Sequence, residues 1–134
     1  MTMPLVRISV LKGKRPAWRQ QLGEAVHEAL VKTINVPVQD RFQVLSEHEA
    51  GDLVYDPGYL GIARSNDIVI VQITLSVGRT LTQKRALYRR IAENLARLGV
   101  RREDVWVNLV EVAKENWSFG LGEASYVEPE KVPA

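Results

Sequence analysis

The sequence predicts an α+β fold: two βαβ repeats related by pseudo-twofold symmetry around a four-stranded sheet. Three observations lead there. A strand-like run, a helix-like run and a second strand-like run occur in that order twice. The separation of Ile8 from Phe42 equals that of Ile73 from Val107, and equal spacing in duplicate reads as an internal repeat. The stretch between the two copies carries Gly51, Pro57, Gly58 and Gly61, the residues of a connecting loop.

Each element has local support. Leu5–Leu11 is a short β-like run. A helix follows from Pro16, which suits a first turn because its missing N–H costs nothing there, to about Thr33. Trp18, Leu22, Ala25, Val26, Ala29 and Leu30 recur at three- and four-residue steps and give it one apolar face. Asn35-Val36-Pro37 stops it. Arg41–Ser46 is the second strand. Residues 47–67 read as a loop with one short extended piece near Leu53-Tyr55. Ile68–Val77 is β-branched almost throughout its first half, as a buried central strand requires. Leu81, Leu87, Ile91, Leu95 and Leu98 mark the face of a helix from Thr82 to about Leu98, and Gly99 ends it. Val105–Val112 is the last strand. The expected organisation is one domain over 1–134: repeat one about 4–46, loop about 47–67, repeat two about 68–112, tail 113–134. After Val127 the tail is rich in proline and charge, and it is read as mobile or draped on a neighbour.

Composition narrows the function classes. A chain of 134 residues with 46% hydrophobic and 25% charged residues can bury a core of its own. The formal net charge is only +2, from 18 Lys+Arg against 16 Asp+Glu, without blocks of like charge. No nucleic-acid partner is expected. Arg85, Arg89, Arg90 and Arg97 sit at helical spacing and read as a solvated face. There is no cysteine, so disulfides and thiolate catalysis are excluded. His27 and His48 are too few for a histidine-rich metal site. His27, beside Val26 on the first helix, reads as structural, and His48 as a surface residue of a polar loop. No apolar run approaches the ~18 residues of a membrane span, and no signal peptide precedes the first strand. The default compartment is the cytoplasm. No cofactor or metal is called for.

Met3-Pro4 carries the most chemistry. If the chain starts at Met3, removal of that methionine leaves Pro4 with a free secondary amine, which is both a base and a nucleophile. With Met1 and Thr2 ahead of it, Pro4 is an ordinary tertiary amide without amine chemistry. The functional reading therefore depends on the start site.

The Met3-Pro4 start before a strand, the paired βαβ halves and the length resemble the tautomerase superfamily. Within it the chain most resembles the malonate semialdehyde decarboxylase group. The local matches are Asn35-Val36-Pro37 followed by Asp40-Arg41-Phe42-Gln43-Val44, then Ser46-Glu47-His48, and the distal Trp117-Ser118-Phe119-Gly120. They cover nearly the whole chain from Met3 to Val127. The resemblance implies a trimer, an amino-terminal proline as the catalytic group (Pro4), and an aspartate after the first helix (Asp40). It also implies a carboxylate-binding arginine after the third main strand (Arg79) and an aromatic pocket loop (Trp117, Phe119). Some decarboxylases of this group show two arginines one residue apart. Here Ser76-Val77-Gly78-Arg79 supplies one.

These residues suit a small oxo carboxylate substrate. Burial would lower the pKa of a free Pro4 amine and Asp40 would raise it. A neutral amine abstracts a proton or attacks a carbonyl; a charged one polarises a carbonyl or delivers a proton. Arg79 would hold a carboxylate through its planar fork, and it precedes Thr80-Leu81-Thr82, a helix start that also favours an anion. Trp117 and Phe119 would exclude water. Decarboxylation of a compound such as malonate semialdehyde is favoured, keto–enol tautomerisation comes next, and promiscuous hydration of an unsaturated acid fits the same groups. Plainer readings stand beside these. Asp40 also suits a turn, Arg79 a surface ion pair, and Trp117 and Phe119 a trimer interface. A substrate role for Arg64, ahead of the central strand, is open. The alternative is a binding or assembly module that keeps the fold without an amino-terminal Pro4.

Overall fold

Six main elements follow one another in a computed structural model that describes residues 4–129. They are β1 (Leu5–Leu11), α1 (Trp18–Ile34), β2 (Phe42–His48), β3 (Val69–Ser76), α2 (Leu81–Ala96) and β4 (Val105–Val112). The expectations for Met1–Met3 and for the chain beyond Pro129 lie outside the described residues. Among the described residues no helix is long and apolar enough to cross a membrane.

The sheet order is β2-β1-β3-β4. β1 runs parallel to β2 and β3 parallel to β4, while β1 and β3 pair antiparallel at the centre. That order reads the same from either edge, as two βαβ units about a pseudo-twofold require. Ile8 pairs with Leu45 and Ile73 with Leu109, so the true partners lie a little beyond Phe42 and Val107, which only mark the repeat.

Alternation along the strands decides the two faces. Val6, Ile8 and Val10 of β1 and Val69, Val71, Ile73 and Leu75 of β3 point to the helices and are buried. They meet Leu22, Val26, Ala29 and Leu30 of α1 and Leu87, Ile91 and Leu95 of α2. Leu81 leaves the expected helix face: it is 60% exposed at the first turn of α2. The opposite sheet face carries no helix. Phe42, Val44, Trp106 and Val110 remain open there.

The helix ends have clear causes. Arg15–Trp18 forms a turn closed by Trp18 N–H to Arg15 O at 3.0 Å. Proline is favoured at the second position of such a turn, so Pro16 precedes the helix instead of opening it. Asn35 ends α1 in the left-handed region at φ 59. Thr80 caps α2 through a capping box with Gln83. Gly99, at φ 87, lets the chain turn back beyond α2, with Val100 N–H on Leu95 O at 3.1 Å. Strand β2 runs to His48, past the expected Ser46, because Leu11 still pairs with His48. His48 is thus a strand residue, not a loop residue. His27 is buried, with Nε2 2.7 Å from Val38 O. Arg90 and Asn94 of α2 reach Glu28 of α1 and tie the helices together.

Candidate active site

One end of the sheet gathers the starts of β1 and β2 and the ends of β3 and β4. Leu5 pairs with Phe42 on one side and Thr74 on the other, and Thr74 pairs with Val110. Pro4, immediately before β1, is therefore carried to the same edge as the segments that follow Ser76 and Val112. Val77 N–H donates to Val112 O at 3.0 Å and holds those two exits together.

Pro4 is buried at a cavity of about 270 Å³. Its walls are Pro4, Leu5, Phe42, Trp117, Ser118 and Phe119. The Trp117 and Phe119 rings stack with centroids 5.3 Å apart, and Phe119 meets the edge of Tyr126 at 5.2 Å. Phe119 N–H donates to Ser125 Oγ at 2.9 Å, and Ser125 N–H to Trp117 O at 3.2 Å. Trp117 Nε1 donates to Ser76 Oγ at 2.9 Å. The aromatic wall is thus a knotted turn fastened to the end of β3. A mostly apolar cavity with few polar groups suits a ligand of a few carbons.

Arg79 and Asp40 lie near this cavity in the chain but do not line it. Arg79 faces a second cavity, of about 290 Å³, with Lys114, Gln83, Val77 and Gly78. Its Nη1 donates to Ser76 O at 3.2 Å. Burial lowers the Arg79 pKa from its usual value, and nearby Tyr126 and Glu111 counter that shift. A guanidinium remains a cation at neutral pH all the same. The α2 start gives less to an anion than its position suggests, because the capping box already occupies the Thr80 and Gln83 N–H groups. Asp40 is half-buried, two residues before β2, with its N–H on Pro37 O at 3.0 Å. Its carboxylate takes no hydrogen bond among the described residues.

A larger cavity, about 380 Å³, sits by the beginning of β3, bounded by Tyr55, Tyr59, Arg64, Ile68, Ile70 and Trp106. Asp56 also lines it, and its Oδ1 accepts from Gly58 N–H at 2.8 Å. Arg64 is occupied there: it donates to Tyr59 O at 2.9 Å and Ile62 O at 3.3 Å and lies 5.2 Å from the Trp106 ring centroid. It holds the connecting segment to β4. Pro4, which would be a secondary amine in a chain begun at Met3, makes the smaller cavity the better candidate.

Sequence reasoning missed Phe42 as a wall and Ser76 and Tyr126 as its supports. Ser76 had a signal of its own, a polar residue ending an apolar strand. Phe42 and Tyr126 had none, since only pairing and loop geometry bring them to Pro4 and Phe119.

The chain is similar to known proteins in sequence and fold. Two family models, both described as tautomerase enzyme, match residues 40–120 and 4–61. A Bacillus subtilis (strain 168) protein named "Probable tautomerase YusQ" is 41% identical over 94% of this chain and its own full length. The crystal structure of FG41 malonate semialdehyde decarboxylase inhibited by 3-bromopropiolate is 37% identical, with a TM-score of 0.84 over 91% of this chain and 93% of that one. A symmetric trimer of Q0 fused 4-OT is 28% identical, with a TM-score of 0.74 over 91% of this chain and 96% of that one.

Proposed function

We propose, from the premise that the chain belongs to the family of tautomerase enzymes, that it is a proline-dependent decarboxylase or tautomerase of small oxo carboxylates such as malonate semialdehyde. The observation that carries this reading is Pro4 at the floor of a cavity walled by Trp117 and Phe119. Pro4 acts as a free amine in a chain begun at Met3 and stripped of that methionine. Arg79 holds the substrate carboxylate from the neighbouring cavity, and Asp40 favours the charged amine.

In decarboxylation the Pro4 ammonium hydrogen-bonds the aldehyde oxygen. The bond from the carboxyl carbon to the central carbon breaks, and carbon dioxide departs. The electron pair moves into an enol(ate) stabilised by that ammonium. A proton then returns to the carbon and acetaldehyde is released. Tautomerisation uses the neutral amine to move one proton between carbon and oxygen. The same charged groups would polarise an unsaturated acid towards water. No cofactor enters these steps. The open sheet face, with Phe42, Val44, Trp106 and Val110, and the unpaired outer edges of β2 and β4 support assembly as a homotrimer.

The test compares a chain begun at Met3 with one begun at Met1. Methionine is readily removed before proline, so the shorter form displays the Pro4 amine. Loss of the acid–base group should cost the longer form about 10²–10⁴-fold in kcat, with equal melting temperatures. Equal activity would sink the amine mechanism. Asp40 and Arg79, which do not line the Pro4 cavity, favour a second reading in which the fold binds a ligand without turning it over. Treatment with 3-bromopropiolate and intact-mass analysis separates the two: adduct confined to Pro4 supports the enzyme, and no adduct supports the binder.

A further inference from the structure

We propose that Ser76 is a positioning residue that fixes the aromatic wall of the Pro4 cavity relative to Arg79. It is the last residue of β3 and fully buried. A buried hydroxyl needs a partner, and here the partner is the indole of Trp117, whose Nε1 donates to Ser76 Oγ at 2.9 Å. The carbonyl of the same residue accepts from Arg79 Nη1 at 3.2 Å. Ser76 itself is held in the sheet, paired with Val112 and followed by the Val77 N–H to Val112 O bond. One rigid residue therefore touches the wall through its side chain and the cation through its backbone.

The wall needs such an anchor. Beyond Trp117 the chain passes through Gly120, Leu121 and Gly122 at φ 143, 63 and 68, three successive positive values in a turn outside the sheet. Its rings pack on one another in the order Trp117, Phe119, Tyr126. The contacts run from Ser76 to Trp117, Phe119 and Tyr126 on one side and from Ser76 to Arg79 on the other. Releasing the indole would let the wall shift relative to the guanidinium, which the Ser76 carbonyl still holds, and displacements of about 1 Å matter greatly to an oriented reaction.

The kinetic part of this proposal rests on the function proposed above. The experiment uses the chain begun at Met3, labelled with 5-fluorotryptophan, with Ser76→Ala, Ser76→Thr, Trp117→Phe and the Ser76→Ala/Trp117→Phe pair. Trp117→Phe assigns one of three fluorine resonances. Ser76→Ala should move or broaden that resonance and leave those of Trp18 and Trp106 in place, which also reports an intact fold. With malonate semialdehyde, each single change should lower kcat/KM about tenfold, chiefly in kcat. The double variant should lose no more than either single one, because both remove the same bond. Ser76→Thr, which keeps the hydroxyl, should restore the resonance and most of the rate. An unmoved Trp117 resonance in Ser76→Ala, or losses that multiply in the double variant, would overturn the proposal. A wild-type chain without turnover would overturn the proposed function instead, and the fluorine signal would then decide the tether on its own.

Discussion

Replacing Arg79 tests the clamp. Its Nη1 donates to Ser76 O, and in the proposed clamp its remaining edge, Nε and Nη2, would take a carboxylate. Two charge-assisted hydrogen bonds contribute about 1.5–3 kcal/mol each. The guanidinium is only partly buried, so the low end applies, about 3 kcal/mol in all. That corresponds to about a 10²-fold loss of kcat/KM in Arg79→Ala. The loss should fall on both KM and kcat, since the fork binds the substrate and aims its carboxylate. Arg79→Lys keeps the charge but cannot satisfy Ser76 O and grip two oxygens together, so it should recover about tenfold at most. The assay follows acetaldehyde release from malonate semialdehyde by coupled reduction, with melting curves run on each variant. Arg79→Ala within threefold of wild type, or Arg79→Lys at full activity, would refute the reasoning and move the carboxylate to another group.

Two predictions concern stability. Asp104, fully buried before β4, accepts from Ser65 N–H at 2.7 Å, Ser65 Oγ–H at 2.6 Å and Arg101 Nε–H at 3.3 Å. Burial raises its pKa, but the Ser65 and Arg101 bonds outweigh that and leave it below the usual value. Asp104→Ala should cost about 3 kcal/mol in urea unfolding; a loss under ~0.5 kcal/mol, the level of an ordinary surface change, would contradict the buried clamp. Glu28 is depressed from 4.5 to about 2, first by the Arg90 hydrogen bonds and then by Asn94. A depressed folded pKa means that its contribution is complete above about 4.5 and fades as pH falls through 2. With 38% of the side chain exposed, solvent screening leaves it about 1 kcal/mol. The stability gap between wild type and Glu28→Gln should therefore close as pH falls over that window, and a gap independent of pH would exclude the carboxylate as its source.

The sequence by itself determined the elements and their order. Period-2 and period-3.6 patterning lives in neighbouring residues, so β1 and β4 could be bounded from Leu5–Leu11 and Val105–Val112 alone. Asn35 and Gly99 stopped the helices for local backbone reasons. The chemistry of Pro4 was legible because Met3-Pro4 is a covalent feature, and Trp117 and Phe119 carried the resemblance that sends them to the pocket. Tertiary structure decided who meets whom. The Leu5–Phe42 register puts an exposed aromatic beside Pro4, and no propensity encodes a register. The central antiparallel pairing brings Ser76 from the far end of β3 to the same edge, where its hydroxyl takes the Trp117 indole and its carbonyl takes Arg79. Arg64 looked available in the sequence and is engaged in the fold, because its own loop folds back to offer Tyr59 O and Ile62 O and the distant Trp106 ring of β4 packs on its guanidinium. Local sequence sets backbone dihedrals and apolar stripes. The meeting of side chains from separate strands depends on how the stripes dock, a property of the whole chain.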